Sequence, residues 1–543
     1  MATKAADAPT AGLEAGAATT IKPKLYGRAF YESIGSPKYI LAPMVDQSEF
    51  AWRMLSRSFI PPSEQSNLVA YTPMFHARLF NDTENYRQGH FQAVRSSDST
   101  DADSAPTPWL DGNPSIDRPL FVQFCANDPD ALLGAALKVA PYCDAVDLNL
   151  GCPQGIAKKG HYGAFLQEDQ ELIYKLINIL HKNLPIPVTA KIRILDTREA
   201  TLAYAKNVLA AGASILTVHG RRREQKGHLT GLADWSTIKW LREQLPPETV
   251  LFANGNILQH ADLQRALEAT GADGVMSAEG NLSDPAIFSR PPEPGTETRE
   301  YWRGRDGKGG YRVDAVMRRY MDILHKYAAG MEPPSRRPLF VPGDDTKWME
   351  EMDKAAAEDD EPARKKRKKD TPRPAGKRER VVSPNYSAMQ PHMFHLLRHF
   401  VSKHTDVRDL LARSRAGDLE AYEKILSMVE RKVADGLIEY EKTDGKMFDG
   451  DEDFNGGEVE EDGESSRGAV RRCKRPWWVV QPIIRPLPKE AMAKGAVSLS
   501  KKDKAKLAQA NGEVSAAAAV NGEAQKESVE EKVLETDDKL LAG

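Results

Sequence analysis

Ala145-Val146-Asp147-Leu148-Asn149-Leu150-Gly151-Cys152-Pro153 runs a short apolar stretch into a lone thiol. A buried strand that ends this way delivers its last side chains to the rim of a sheet or barrel, the edge on which parallel-sheet enzymes keep their chemistry. Taken alone, Cys152 reads as a buried structural thiol or as a catalytic one, so its neighbours along the chain decide.

Working outward, short apolar runs alternate with amphipathic segments from Tyr39 to Phe288, the pattern of repeated βα units. The runs are Tyr39 to Ala42, Leu68 to Tyr71, Leu120 to Phe124, Ala145 to Asn149, Val188 to Ile192, Ser214 to Val218, Val250 to Ala253 and Gly274 to Ser277. Helical stretches between them include 130–140, 171–180, 198–210, 235–245 and 261–269. Eight such units in roughly 250 residues predict a TIM (β/α)8 barrel. The alternative, an open doubly wound sheet, would want a Gly-x-Gly-x-x-Gly turn that the sequence lacks. A Ser-, Asp- and Pro-rich stretch, Ser96 to Asp117, reads as a surface insertion before the third run.

Beyond Phe288 the alternation gives way to helical periodicity. Val313, Val316, Met317, Tyr320, Met321 and Leu324 share one helix face, and a second helical block spans Met393 to Val433. The expected organisation is an N-terminal disordered tail over 1–35, a barrel over 36–295, and a smaller all-α domain over 296–440, to which the family resemblance given below assigns RNA binding. That domain is interrupted by a disordered basic insertion at about 335–384, and 441–543 forms a mostly disordered C-terminal tail. Within that tail, Trp477 to Pro486 stands out as apolar and reads as an anchor onto the fold.

The polar residues of the eight runs gather at their C-terminal ends. The first run leads to Pro43-Met44-Val45, the third holds Gln123, the fourth leads to Asn149 and Cys152, and the fifth carries Lys191 and Arg193. The sixth ends in His219, the seventh in Asn254-Gly255-Asn256, and the eighth in Ala278-Glu279. A barrel brings all of these to one face. Singly, Gln123 could be a buried polar tie, His219 a satisfied core histidine and Asn254-Gly255 a tight turn. Lys191 is harder to set aside, because a lysine within an apolar run needs a partner or loses its charge.

The joint pattern resembles the flavin-dependent tRNA-dihydrouridine synthases. Leu41-Ala42-Pro43-Met44-Val45-Asp46, Phe121-Val122-Gln123, Asp147 to Pro153, Ala190 to Arg193, Val218 to Arg221 and Ala253 to Asn256 carry the resemblance. Within the family, 151–157 and Ala278-Glu279-Gly280 look most like the eukaryotic branch that acts at positions 16 and 17 of the tRNA D-loop. The resemblance implies reduction of uridine to 5,6-dihydrouridine, with FMN as cofactor and NADPH or NADH as reductant. It assigns Cys152 as the proton donor to C5. FMN would be held by Pro43, Met44, Val45, Gln123, Lys191, His219, Asn254, Gly255, Asn256, Ala278 and Glu279, with backbone donors on its phosphate. Asn149, Arg193, Arg221 and Arg222 are the expected substrate contacts. A target base must be extruded to reach such a site, so an RNA-gripping surface is expected, with Lys158, Lys159, Arg223, Lys226, Arg312, Arg318, Arg319, Arg398 and Lys403 as further candidates. Competing readings are a small-molecule pyrimidine-reducing flavoenzyme and an inactive tRNA-binding scaffold.

Composition bounds the rest. Four cysteines in 543 residues form no CxxC pair, so neither a disulfide framework nor a zinc or iron-sulfur motif is expected. No apolar run reaches the roughly 18 to 20 residues that cross a bilayer, and a monomer free of membrane and metal is expected. The net charge of −3 conceals segregation: Arg364 to Arg380 is densely basic and Asp444 to Glu464 densely acidic. The basic cluster has the form of an import signal, which predicts a nuclear location, a cytoplasmic one, or both.

Overall fold

Buried apolar runs too short for helices pair side by side as parallel strands. In the computed structural model these are β1 (Tyr39–Leu41), β2 (Leu68–Tyr71), β3 (Phe75–His76), β4 (Leu120–Cys125), β5 (Ala145–Leu150), β6 (Val188–Arg193), β7 (Ile215–His219), β8 (Val250–Asn254) and β9 (Gly274–Ser277). Pairing runs from β4 through β9 to β1 and β2, and contact of β2 with β4, Ala70 opposite Leu120, closes the cylinder. The two-residue β3 continues the stave begun by β2, with Phe75 opposite Phe124, so the barrel has eight staves. Each strand is enclosed on both faces, which is why the runs read as continuous apolar segments. In β5 the alternation is still effective: Val146, Leu148 and Leu150 join the core beneath the helices, and Asp147 and Asn149 face the barrel interior.

The described residues are 24–95, 107–359, 383–446 and 466–493. The remainder of the expected tails and insertions, and the cluster from Arg364 to Arg380, lies outside them.

Side-chain caps start the helices that follow the strands. Asp128 accepts from the N–H groups of Asp130 and Ala131, Asp169 from Leu172, Thr197 from Ala200 and Asp234 from Thr237. Each such cap is worth about 1 kcal/mol. Before the first strand, part of the expected tail is ordered as the helix Gly27–Ser33. Phe30 stacks on Phe121, and the Tyr31 hydroxyl donates to the carbonyls of Pro37 and Asp273. This helix therefore seals the end of the barrel opposite Cys152.

The stretch expected as a surface insertion also ends differently. Its last residues are buried because Arg53, wholly enclosed on the helix Phe50–Ser58, draws in Asp111 at 2.7 Å and Asp117 at 2.5 Å. A polar composition conceals this, since the partners lie 58 and 64 residues apart.

The C-terminal helices Val313–Ile323, Met389–Leu396, Thr405–Arg413 and Leu419–Lys442 share one apolar core with the barrel. Trp52 stacks on His392 at 3.9 Å and donates Nε1–H to Asn281, and the Ala51 N–H donates to Asn385. Part of the expected basic insertion is ordered as well: Phe340 is buried and Lys347–Asp359 is helical. Arg312, expected on an RNA-facing surface, is instead 2% exposed, paired with Asp314 and bonded to the carbonyls of Arg299 and Phe340. Arg318 pairs with Glu430, and Arg319 with Glu300 over the Phe59 ring, so both serve packing between elements.

Candidate active site

Strand register sets the level of each polar side chain. Gln123 lies opposite Asp147, Asn149 opposite Lys191, Arg193 opposite His219, and His219 opposite Asn254. Half a turn of the barrel is thereby lined at its C-terminal rim with groups that are costly to bury.

A chain of directed hydrogen bonds begins at Asp147. Its carboxylate accepts from Thr189 Oγ1 at 2.6 Å and from Gln123 Nε2 at 2.8 Å. Gln123 Oε1 then accepts from Asn149 Nδ2 at 2.8 Å, and Asn149 Oδ1 accepts from the N–H groups of Gly151 and Cys152 at 3.1 and 2.9 Å. An ionised carboxylate can only accept, so it dictates which way both amides face and fixes the loop that carries Cys152. Asn149 spends its oxygen on that loop and keeps one N–H for a ligand. Burial pushes the Asp147 carboxyl up to about 6.

Cys152 follows on this loop, buried beside Cys125, Ala157 and Tyr162. Gly163, at φ +64, lets the next turn close over it, since a Cβ there would stand 2.8 Å from the Cys152 carbonyl oxygen. Burial raises the pKa of the thiol, against the opposing pull of Arg193, Lys191 and Lys226, and keeps it protonated at neutral pH.

Beside the thiol, on the neighbouring strands β6 and β7, stand three basic groups. Lys191 is 7% exposed, and among the described residues Nζ has no hydrogen-bond or ion-pair partner; burial and Arg193 lower its pKa to about 8. Arg193 donates Nε–H to the Gly151 carbonyl at 2.6 Å, tying β6 to the cysteine loop. His219 is held well below its usual range by burial and by three neighbouring cations, so its ring is neutral. Its Nε2 accepts from Arg221 Nη1 at 3.1 Å, which assigns the proton to Nδ1. That buried Nδ1 has no partner.

Arg221 is also bound to Asn256 Oδ1 at 2.9 Å and to the Gly231 carbonyl at 3.0 Å. Its place is the inner wall of the mouth rather than an outer surface. Asn256 accepts from the Ala233 N–H and donates one Nδ2–H to its carbonyl, which leaves its second Nδ2–H and its backbone for a ligand. Asn254 donates Nδ2–H to Met276, and its buried Oδ1 has no partner. Gly255, at φ +118, brings the backbone within reach of Ala233 and His219, where a Cβ would collide at 2.5 Å with Ala233. Pro43 and Met44 are buried at the same rim, and Val45 is 41% exposed. Ala278 precedes the short helix Glu279–Ser283, and the Glu279 carboxylate is paired with Arg485 at 3.0 Å.

Unpartnered buried polar atoms at His219 and Asn254, together with Lys191, line the mouth from β6 to β8. A ring system with alternating donors and acceptors and an anionic tail fits this set. Sequence reasoning missed Asp147 and Thr189, whose role depends on register, and Arg485, which lies 206 residues from its partner. Among the outer cations, Arg222 is held by Asp196 and Arg223 by Glu168 and Phe165, while Lys158, Lys159, Arg398 and Lys403 are exposed.

Residues 40–328 match the family model described as Dihydrouridine synthase (Dus). The chain belongs to this family. It is 43% identical over 466 residues to tRNA-dihydrouridine(16/17) synthase of Saccharomyces cerevisiae, covering 86% of this chain and 87% of that protein. It is 40% identical to the protein of the same name from Schizosaccharomyces pombe, over 86% of this chain and 92% of that one. A tRNA-dihydrouridine(16/17) synthase-like protein of Mus musculus is 46% identical over 49% of this chain and 51% of its own length. The helical region therefore lies within the span matched by the two yeast proteins. Among the described residues, no helix is long and apolar enough to cross a membrane, and no group of three or more His, Cys, Asp and Glu side chains could hold a metal ion.

Proposed function

We propose that this dihydrouridine synthase family member reduces uridine to 5,6-dihydrouridine in tRNA, at positions 16 and 17 of the D-loop, using FMN and NAD(P)H. The observation that carries the reading is a protonated, loop-locked thiol at Cys152 beside the buried Lys191 of the neighbouring strand and the unpartnered donor His219 Nδ1. The names of the yeast relatives support the substrate and the positions.

A bound flavin supplies the hydride that C6 of the uracil needs and that no side chain can give. Lys191 provides positive charge beside the ring, favouring negative charge that develops there. His219 Nδ1–H and the Asn254 oxygen offer a donor and an acceptor to the cofactor's polar edges. Gln123 lies at the base of the pocket, both ends of its amide engaged, and holds Asn149 in place. Cys152 Sγ–H passes its proton to C5, and its raised pKa keeps that proton available. Asn149 Nδ2 and Arg193 contact the uracil, and the exposed Lys158 and Lys159 beside Cys152 meet RNA phosphate. The cluster from Arg364 to Arg380 directs the protein to the nucleus.

The test is to purify the full chain, record its visible spectrum and incubate it with unmodified tRNA and NADPH. A flavin spectrum and dihydrouridine at positions 16 and 17 are expected. A colourless protein that reduces no tRNA refutes the proposal, and reduction of free pyrimidines but not tRNA favours the small-molecule reading.

A further inference from the structure

The apolar segment around Trp477 and Trp478 is a strap with an arginine at its far end. Trp478 is fully buried, and its carbonyl accepts from the Val313 N–H at 2.8 Å; the Val480 N–H donates to the Tyr311 carbonyl at 2.9 Å. Trp477 packs on Phe400 and His404. Beyond this anchorage the chain runs through Pro482 and Pro486, whose fixed φ angles keep it extended. A second anchorage follows, where the helix Pro488–Ala493 lies against Gly227–Leu229 of the loop after β7 and Ala491 is buried. Arg485 lies between the two anchors.

The position it reaches is the C-terminal end of the last barrel strand. Arg485 donates from Nε and Nη2 to Glu279 Oε1 at 3.1 and 3.0 Å, and its remaining N–H groups have no partner among the described residues. Glu279 directly follows the β9 exit, beside the region where barrels commonly bind phosphate. Unpaired, its carboxylate would repel a phosphate. Arg221 stands close enough to feel both charges, being stabilised by Glu279 and opposed by Arg485. With Arg485 present, two cations face one anion; without it, Arg221 and Glu279 cancel.

We propose that Arg485, carried in by the C-terminal strap, is a phosphate-binding residue of the flavin site, and that Glu279 holds it there. This rests on the flavin reading above. The phosphate is the monoester of FMN rather than a phosphodiester of the RNA, because Arg485 sits at the β8–β9 side of the mouth, with Arg221 and Asn256, and not beside the exposed lysines after Cys152.

Binding of FMN and of riboflavin, which lacks the phosphate, to flavin-stripped full-length protein tests this by fluorescence quenching, with tRNA binding measured in parallel. R485A is expected to weaken FMN about tenfold or more, as loss of a charged hydrogen bond would, and to leave riboflavin and tRNA binding unchanged. R485K is expected to retain part of the FMN preference. Adding E279Q to R485A is expected to recover part of the loss, since the uncovered carboxylate is then gone. An R485A protein that binds FMN like wild type overturns the inference. So does an equal loss for FMN and riboflavin, which would mark a packing role, or a loss confined to tRNA. Wild-type protein that takes up no flavin refutes the flavin reading and removes this inference with it.

Discussion

Two sets of buried charges in this molecule differ in how completely they are satisfied. Around Arg53, the guanidinium donates to Asp111, to both oxygens of Asp117 and to the Ser48 carbonyl, while the N–H groups of Gln92 and Gly112 complete the two carboxylates. At the barrel mouth, Lys191, Arg193, His219 and Arg221 crowd together, and His219 Nδ1 and Asn254 Oδ1 remain without partners. The first set is closed upon itself and joins the stretch before β4 to the helix Phe50–Ser58. The second is incomplete in a way that an anionic, multiply hydrogen-bonding ligand would complete. A buried charge is thus a weak sign of function by itself, and its unmet bonding capacity is the stronger one.

Substitutions should separate the two sets. The largest effect is expected for Cys152→Ala, which should slow tRNA reduction by about 10²- to 10⁴-fold, the usual range for loss of a general acid, with no fall in melting temperature. A variant that works at the wild-type rate in a single-turnover assay would remove the thiol from the chemistry. Asp117→Ala should behave in the opposite sense. Leaving Arg53 with a reduced share of carboxylate should cost about 3–5 kcal/mol in urea unfolding, while the folded fraction keeps its turnover.

Lys191→Met should slow turnover by about 10²- to 10³-fold, as removal of a preorganised charge does elsewhere. Its melting temperature should hold or rise, because an unpaired buried cation disfavours folding. A marked loss of stability would place Lys191 with the Arg53 set instead. The smallest effect is that of pH. The Asp147 carboxyl, raised to about 6, gains a proton as pH falls through that value and ceases to dictate the direction of the Gln123 amide. Lys191, lowered to about 8, loses its charge as pH rises through that value. Activity should therefore peak between these limits and decline about tenfold per unit outside them. In Lys191→Met the alkaline limb near pH 8 should be missing, and only the later fall from loss of the Cys152 proton should remain.

The barrel was legible because its strands are enclosed on both faces and so appear as unbroken apolar runs; the observed strands begin and end within about one or two residues of them. The set at the mouth was legible because each member ends such a run, and parallel strands in register bring their ends together. Arg53, Arg312 and Arg485 were not legible. Each draws its role from a carboxylate or carbonyl elsewhere in the fold, and local composition marks all three simply as polar. The helix Gly27–Ser33 escaped for a related reason: Phe30 and Tyr31 are too few to make a pattern, and their burial depends on an opening at the barrel floor.

Trp52 belongs to the first barrel helix, yet His392 and Tyr320 of the C-terminal helices enclose it. The two parts cannot melt separately without each exposing an indole-sized hole in the other. Heat should therefore unfold them in one cooperative transition, and the barrel excised alone should aggregate rather than stand as a minimal enzyme. Any substrate contact that the helical part makes is in this way coupled to the stability of the barrel itself.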